Sequence, residues 1–294
     1  MAESDFKIDF VGVGAEKAGS SWVAAMLDAH PEICLSQPKE VQYFNEKSSY
    51  TRGLNANFNK GFGWYEKHFI HCKKNSIKGE FSTAYLPDKT APKKIFQSFP
   101  GVKLIVCLRD PVDRMYSQYW MYKNYFLKEK RPFSEVVREE KEYTEKSLYF
   151  KQIKEYLKYF SLENILFITL DEIKENPKIC HKALYKFVGT RNVDFVPGKG
   201  VFGRKNKAKR VRFRSGLVLI NRLSKIFIFL GFSRVLKVLV KYGFKDFCLR
   251  IISDESRYPP IDKGLRSELI KKFISDIDDF ERLTGKNLSS WKKT

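Results

Sequence analysis

The chain has 294 residues, 43% of them hydrophobic, and carries 55 lysines and arginines against 34 acids for a formal charge of +21. That length allows one large core, or one core with an appended helical segment, and a single domain over 1–294 is expected. Cys34, Cys72, Cys107, Cys180 and Cys248 are scattered and odd in number, without C-x-x-C spacing, so neither a disulfide framework nor a zinc site is indicated and a reducing compartment fits. The first residues lack a basic region followed by an apolar one, and no apolar stretch approaches the ~20 residues that span a bilayer, so a cytoplasmic protein is expected.

Residues 8–13 read as a buried strand. The strand runs into Gly14-Ala-Glu-Lys17-Ala18-Gly19-Ser20-Ser21-Trp22, a glycine-rich turn at the start of a helix over 20–30. Glycines let backbone N–H groups converge on an anion, and the helix start adds unpaired donors and its dipole, so the turn is a candidate phosphate cradle. Gly14 and Gly19 have the spacing of a P-loop, but Ser20 stands where the P-loop lysine belongs and Lys17 lies inside the loop, which disfavours an ordinary ATP or GTP site.

Residues 76–80 read as a short strand and 89–99 as an amphipathic helix. The clearest strand is 102–108, apolar and β-branched, closed by Arg109-Asp110-Pro111, with Pro111 in the first turn of a helix to about 124. A helix over 150–160, a strand over 164–170, a helix over 176–188 and a long helix over 260–284 complete the pattern. Strands alternating with helices predict a three-layer α/β/α fold around a parallel sheet with a P-loop-like phosphate loop.

After Pro197-Gly198 the composition shifts. From Lys199 to Arg250 fifteen lysines and arginines face the single acid Asp246, and the partly apolar stretch 217–244 suits either packing on the domain or an interfacial helix pair. Such a basic segment, 199–252, can face a polyanionic substrate, an anionic membrane surface or only solvent.

Taken together, the segments resemble the sulfotransferases that use 3′-phosphoadenosine-5′-phosphosulfate (PAPS), above all the heparan sulfate branch and its bacterial relatives. Gly14–Trp22 resembles the 5′-phosphosulfate loop, K-x-G-T-[TS]. Lys39-Glu40-Val41-Gln42-Tyr43-Phe44 resembles K-E-x-H-F-F, and Glu80-Phe81-Ser82-Thr83-Ala84-Tyr85 resembles E-K-S-P-x-Y. Arg109 through Tyr119 is similar to the 3′-phosphate motif R-[DE]-P-x-x-R-x-x-S-x-[YF].

The resemblance implies transfer of a sulfuryl group from PAPS to a hydroxyl or amine of a carbohydrate or glycolipid, leaving adenosine 3′,5′-bisphosphate (PAP). It implies Glu40 as general base, with Glu80 in reserve, and Lys17 as the cation that stabilises the leaving phosphate. Lys17, Ala18, Gly19, Ser20, Ser21 and Trp22 would hold the 5′-phosphate, Arg109 and Ser117 the 3′-phosphate, and Tyr149, Arg204 and Lys205 further parts of the nucleotide. The sequence departs from the branch at Gln42 (histidine), Phe81 (lysine) and Thr83 (proline), and the first two adjoin the acceptor side in the relatives. His30, His68, His71 and His181 are spaced unlike metal ligands, and no metal is expected. No nucleic-acid partner is expected, and peripheral contact with a membrane stays open. The alternatives are a P-loop kinase-like phosphotransferase and a non-enzymatic binder of anionic polymer or membrane through 199–250.

Overall fold

The computed structural model describes residues 6–47, 53–125, 129–198, 200–201, 210–211, 253–254 and 258–293. In chain order the elements are β1 (Phe10–Gly14), α1 (Ser20–Asp28), β2 (Ile33–Leu35), α2 (Phe62–Glu66), β3 (Ile77–Phe81), α3 (Ala91–Ser98), β4 (Lys103–Leu108), α4 (Pro111–Trp120), α5 (Phe133–Glu139), α6 (Lys141–Glu145), α7 (Tyr149–Tyr156), β5 (Ile165–Thr169), α8 (Leu170–Glu175), α9 (Pro177–Val188), β6 (Arg210–Val211), β7 (Ser253–Asp254) and α10 (Lys263–Thr284). A π-helical turn, Met121–Tyr125, continues α4. Strands β6 and β7 pair antiparallel apart from the main sheet. The basic segment 199–252, with Arg204 and Lys205, lies almost wholly outside the described residues.

Strands β1 to β5 form one sheet in the order β2-β3-β1-β4-β5, and every pairing in it is parallel. Both faces of β1 and β4 are covered, which explains why they read as near-continuous apolar runs rather than as an alternation: Phe10, Val11, Val13, Leu104, Ile105, Val106 and Leu108 are all buried. The helices fall on opposite faces because the crossovers run in opposite directions. From β1 the chain moves two places to β2 through α1, whereas from β3 through α3 to β4, and from β4 through α4–α7 to β5, it moves the other way. With right-handed crossovers these helix sets cover opposite faces. The packing agrees: α1 meets α9, while α7 meets α3 and α10, and α10 meets α4. The α/β fold expected from the sequence is therefore the observed one.

The reversal places a topological switch point between β1 and β4, and in open parallel sheets the crevice outside the strand ends at that point is where ligands bind. Here the two strand ends are tied together, Ala15 N–H donating to the Cys107 carbonyl at 2.7 Å.

Cys34 and Cys72 are joined in a disulfide. This corrects the expectation drawn from scattered cysteines: separation of 38 residues hides the pair in sequence, but β2 brings Cys34 beside the segment after α2. His71 is beside it, its ligand nitrogen and the two sulfurs lying within 4.8 Å of one another.

Candidate functional site

At the switch point β1 ends in Gly14 and turns through Lys17 and Gly19 into α1. Gly14 (φ 155°) and Gly19 (φ 98°) need their missing Cβ, since one added at Gly14 would sit 2.6 Å from the Leu86 Cβ and Gly19 is left-handed. The first turn of α1 has neither a side-chain cap nor an acidic residue, leaving its start electropositive. The Trp22 N–H donates to the Gly19 carbonyl at 2.9 Å, and its indole is buried in the core beneath the loop. The Ala18 side chain is likewise fully buried, and Ser20 is buried at the helix start while Ser21 is half-buried.

Lys17 is half-buried and held in the left-handed region (φ 67°). Its Nζ lies 3.8 Å from the Met121 sulfur, and no carboxylate among the described residues comes within ion-pair distance. Burial, together with the charges of Arg109 and Arg114, lowers its pKa below the ordinary lysine value although Glu16 opposes the shift. The neighbouring Glu16 faces Lys146 at 3.6 Å.

Arg109 follows β4 directly. Its Nη1 donates to the Lys17 carbonyl at 3.4 Å, so the two sequence-predicted anion sites meet across the strand ends. Its Nη2 is 3.7 Å from Asp113, and its Nε is buried with no hydrogen-bond partner. The nearby acids are shared with a second arginine. Arg266, on α10, takes Asp110 at 2.7 Å and Asp113 at 2.8 Å. That arginine was not legible as part of the site, because more than 150 residues separate it from its partners and no local motif marks it. Asp110 also caps α4, accepting from the Asp113 N–H at 2.9 Å. Ser117 sits half-buried on α4, two turns from its start.

Tyr149 is buried, and its hydroxyl donates to the Arg109 carbonyl at 2.8 Å, bracing the strand end that carries Arg109. The motif's second arginine, Arg114, is fully buried and donates to Ser147 Oγ, Gln118 Oε1 and the Tyr143 carbonyl at 2.5–2.9 Å. It pins α4 to the segment that carries Tyr149.

Glu40 follows the turn after β2, also in the left-handed region (φ 66°). One carboxylate oxygen accepts from Lys39 Nζ at 2.7 Å, the other from the Thr83 N–H at 2.9 Å, and the Thr83 hydroxyl is 3.2 Å from both. Thr83 belongs to the turn after β3, which is bonded to β1 through Ser82 N–H to Gly12 O and Leu86 N–H to Val13 O. Thr83, Ala84, Ala15, Glu16 and Arg114 line one small cavity, placing the Glu40 anchor against the phosphate loop. Gln42 and Phe81, expected beside the acceptor, are both buried, Phe81 with its ring against Gly12. Their departures from the heparan pattern fill the core.

Glu80 is fully buried and accepts from the hydroxyls of Tyr65 (3.0 Å), Tyr85 (2.9 Å) and Ser82 (3.1 Å). Burial outweighs these donors and pushes its pKa from the ordinary 4.5 up to about 7. Below the unfolded value both states hold the proton and the group is neutral to stability. As pH rises from 4.5 toward 7 the unfolded chain releases the proton first, so this group lowers folding stability by roughly 3 kcal/mol across that window. Urea titrations at pH 4.5 and 7.5 should therefore give a steeper fall for the native chain than for Glu80→Gln. Equal falls would contradict a raised Glu80 pKa in the folded chain.

Residues 7–196 match the family model described as "Sulfotransferase domain". A membrane-associated sulfotransferase, kil1, of Dictyostelium discoideum is 30% identical over 140 residues, which cover 45% of this chain and 28% of that protein. The heparan sulfate glucosamine 3-O-sulfotransferase 5 of Mus musculus is 25% identical over 176 residues, covering 56% of this chain and 48% of that one. The chain thus spans between about a quarter and a half of the length of these relatives. In fold, it superposes on a sulfotransferase from Alicyclobacillus acidocaldarius with a TM-score of 0.70 at 22% identity, covering 98% of this chain and 100% of that one. No helix among the described residues is long and apolar enough to cross a membrane. Since the family model takes in the phosphate loop, both strand ends and Arg109, and covers well over half of the chain, the protein belongs to the sulfotransferase domain family.

Proposed function

We propose that the chain is a sulfotransferase that moves a sulfuryl group from PAPS to a hydroxyl or amine of a carbohydrate or glycolipid. The observation that carries this reading is the meeting of two incompletely neutralised cations at the switch point. Lys17 has no carboxylate partner among the described residues, Arg109 has a buried Nε without an acceptor, and the two residues touch through the Lys17 carbonyl. Burying such donors unpaired is costly, and a carrier with phosphates at both ends of its ribose would supply the missing acceptors.

PAPS brings a sulfuryl group already bonded to a good leaving phosphate. Lys17 and the start of α1 hold positive charge where that phosphate gains charge as the sulfur–oxygen bond breaks. Glu40, oriented by Thr83, accepts the proton of the attacking hydroxyl or amine. Arg109, with Ser117 on α4, holds the 3′-phosphate and keeps the reacting atoms in line. The relatives that act on heparan sulfate and the surplus of positive charge support a carbohydrate acceptor, anionic or lipid-linked. A kinase-like alternative has the displaced loop lysine against it. The Cys34–Cys72 bridge removes the argument for a reducing compartment that scattered cysteines suggested.

The test compares two ligands. Calorimetry of the native chain should give tight binding of PAP and weaker binding of adenosine 5′-phosphate. In Arg109→Ala the PAP affinity should fall by about tenfold to a hundredfold while adenosine 5′-phosphate is little affected, the size of one charge-assisted contact to a phosphate. Equal losses for the two ligands would remove Arg109 from the 3′-phosphate, and no PAP binding by the native chain would end the proposal. Labelled PAPS offered with desulfated heparan sulfate, or with a glycolipid extract, then sorts the acceptor class by where the label appears.

A further inference from the structure

We infer that Glu80 is a positioning residue that holds the base-bearing segment 40–43 in its working shape through two hydroxyl relays. This rests on the reading of Glu40 as base and adds a function for a carboxylate that the sequence offered only as a reserve base.

As a base Glu80 is badly placed, since it is fully buried and its oxygens are surrounded by three hydroxyl donors. Two of those hydroxyls are also acceptors. The Gln42 N–H donates to Ser82 Oγ at 2.9 Å, and Ser82 donates on to Glu80 Oε2 at 3.1 Å. The Tyr43 N–H donates to the Tyr85 oxygen at 2.8 Å, and Tyr85 donates on to Glu80 Oε1 at 2.9 Å. Tyr65, from α2, completes the set at 3.0 Å. In its ionised form, which its raised pKa makes dominant above about pH 7, the carboxylate can accept all three hydroxyl protons at once and so fix both Ser82 and Tyr85 as acceptors toward the backbone. Relayed bonds of this kind polarise one another in a dry interior.

What the relays hold is a strained stretch. Glu40 (φ 66°) and Gln42 (φ 52°) are both left-handed without being glycine, a conformation that costs on the order of 1 kcal/mol or more each and persists only where the surroundings over-determine it. The Glu40 N–H is fixed to the Phe81 carbonyl at 2.8 Å, Gln42 and Tyr43 are fixed through Glu80, and the Glu40 carboxylate is fixed by Thr83 in the same turn as Ser82 and Tyr85. The heparan pattern has proline at the Thr83 position, which offers no N–H, so this chain adds a donor to its base there. The groups facing Glu80 are Tyr65 on α2, Tyr85 and Ser82 on the turn, and the charge of Glu40, which raises the Glu80 pKa.

Glu80→Gln keeps the volume and can still accept from both tyrosines, but its amide N–H₂ meets Ser82 as a donor and reverses that relay. Turnover of PAPS with the labelled carbohydrate acceptor should fall about tenfold to a hundredfold, as expected for a misplaced catalytic group, while the Kd for PAP stays within about twofold. The amides of Gln42 and Tyr43 should exchange hydrogen at least about tenfold faster, with β1 and β4 amides unchanged. Should Glu80→Gln fail to fold, Ser82→Ala and Tyr85→Phe each cut one relay and should each lose roughly threefold to tenfold in kcat with the same sparing of PAP. Unchanged kcat and exchange in folded variants, or a parallel loss of PAP affinity, would overturn the role of Glu80. Glu40→Gln separates this from the underlying reading: if it keeps full activity, the base assignment itself is wrong.

Discussion

Glu40→Gln is expected to lower kcat by about 10²- to 10⁴-fold while leaving the affinity for PAP unchanged, because an amide of the same shape cannot take up a proton. The carboxylate is well prepared for that role. Thr83 holds it from the backbone and the hydroxyl, and Lys39 is the third partner at 2.7 Å. The rival explanation, that Glu40 only pairs with Lys39, makes a different prediction. That pair is partly open to water, the two side chains being 33% and 14% exposed, and such pairs contribute between nothing and about 1 kcal/mol. A structural pair of that size would leave kcat within a fewfold. Measuring kcat with labelled PAPS and Kd by calorimetry on one preparation decides between them, and a retained kcat would dismiss Glu40 as base.

The parts of this site that could be read from sequence are the ones written in contiguous residues. A phosphate loop needs glycine where the backbone turns back on itself and a strand before it, so 10–22 announce it; β4 announces Arg109 in the same way, being an apolar run that stops at a charged residue and a proline. What could not be read depends on distant partners. Arg266, from the far end of the chain, takes Asp110 and one oxygen of Asp113, leaving Arg109 only the other Asp113 oxygen at 3.7 Å. Phe81 and Glu80 alternate along a strand whose two faces are both covered, so nothing in the local pattern says that one ring fills the space over Gly12 and that the carboxylate is dry. β2 is three residues long, too short for a periodicity to register, and the Cys34–Cys72 bridge it makes possible was hidden with it. The protein partners of the Tyr149 hydroxyl and the Trp22 amide are likewise set by tertiary packing and by the turn geometry, which no local pattern shows.

Lys17→Ala is expected to cost about 10²- to 10³-fold in kcat, the usual loss when a fixed donor is removed from developing negative charge. The same change should not weaken the fold. Burial disfavours the charged amine, Glu16 offsets this only in part without forming an ion pair, and Arg109 and Arg114 repel it, so the cation is held at a cost that a bound anion relieves. Loss of rate without loss of melting temperature would mark a residue kept for function. The lowered pKa adds a sign to the test. An anionic carrier favours the protonated amine, so above the free-state pKa of Lys17 binding must first recover a proton and the affinity for PAP falls as pH rises. Because that pKa lies below the ordinary lysine value, the fall should begin at lower pH than a solvent-exposed lysine would give, and it should be absent in Lys17→Ala. Calorimetry in two buffers of different ionisation enthalpy reads the proton uptake directly. Uptake that persists in Lys17→Ala would belong to another group, and the leaving phosphate would then need a different cation.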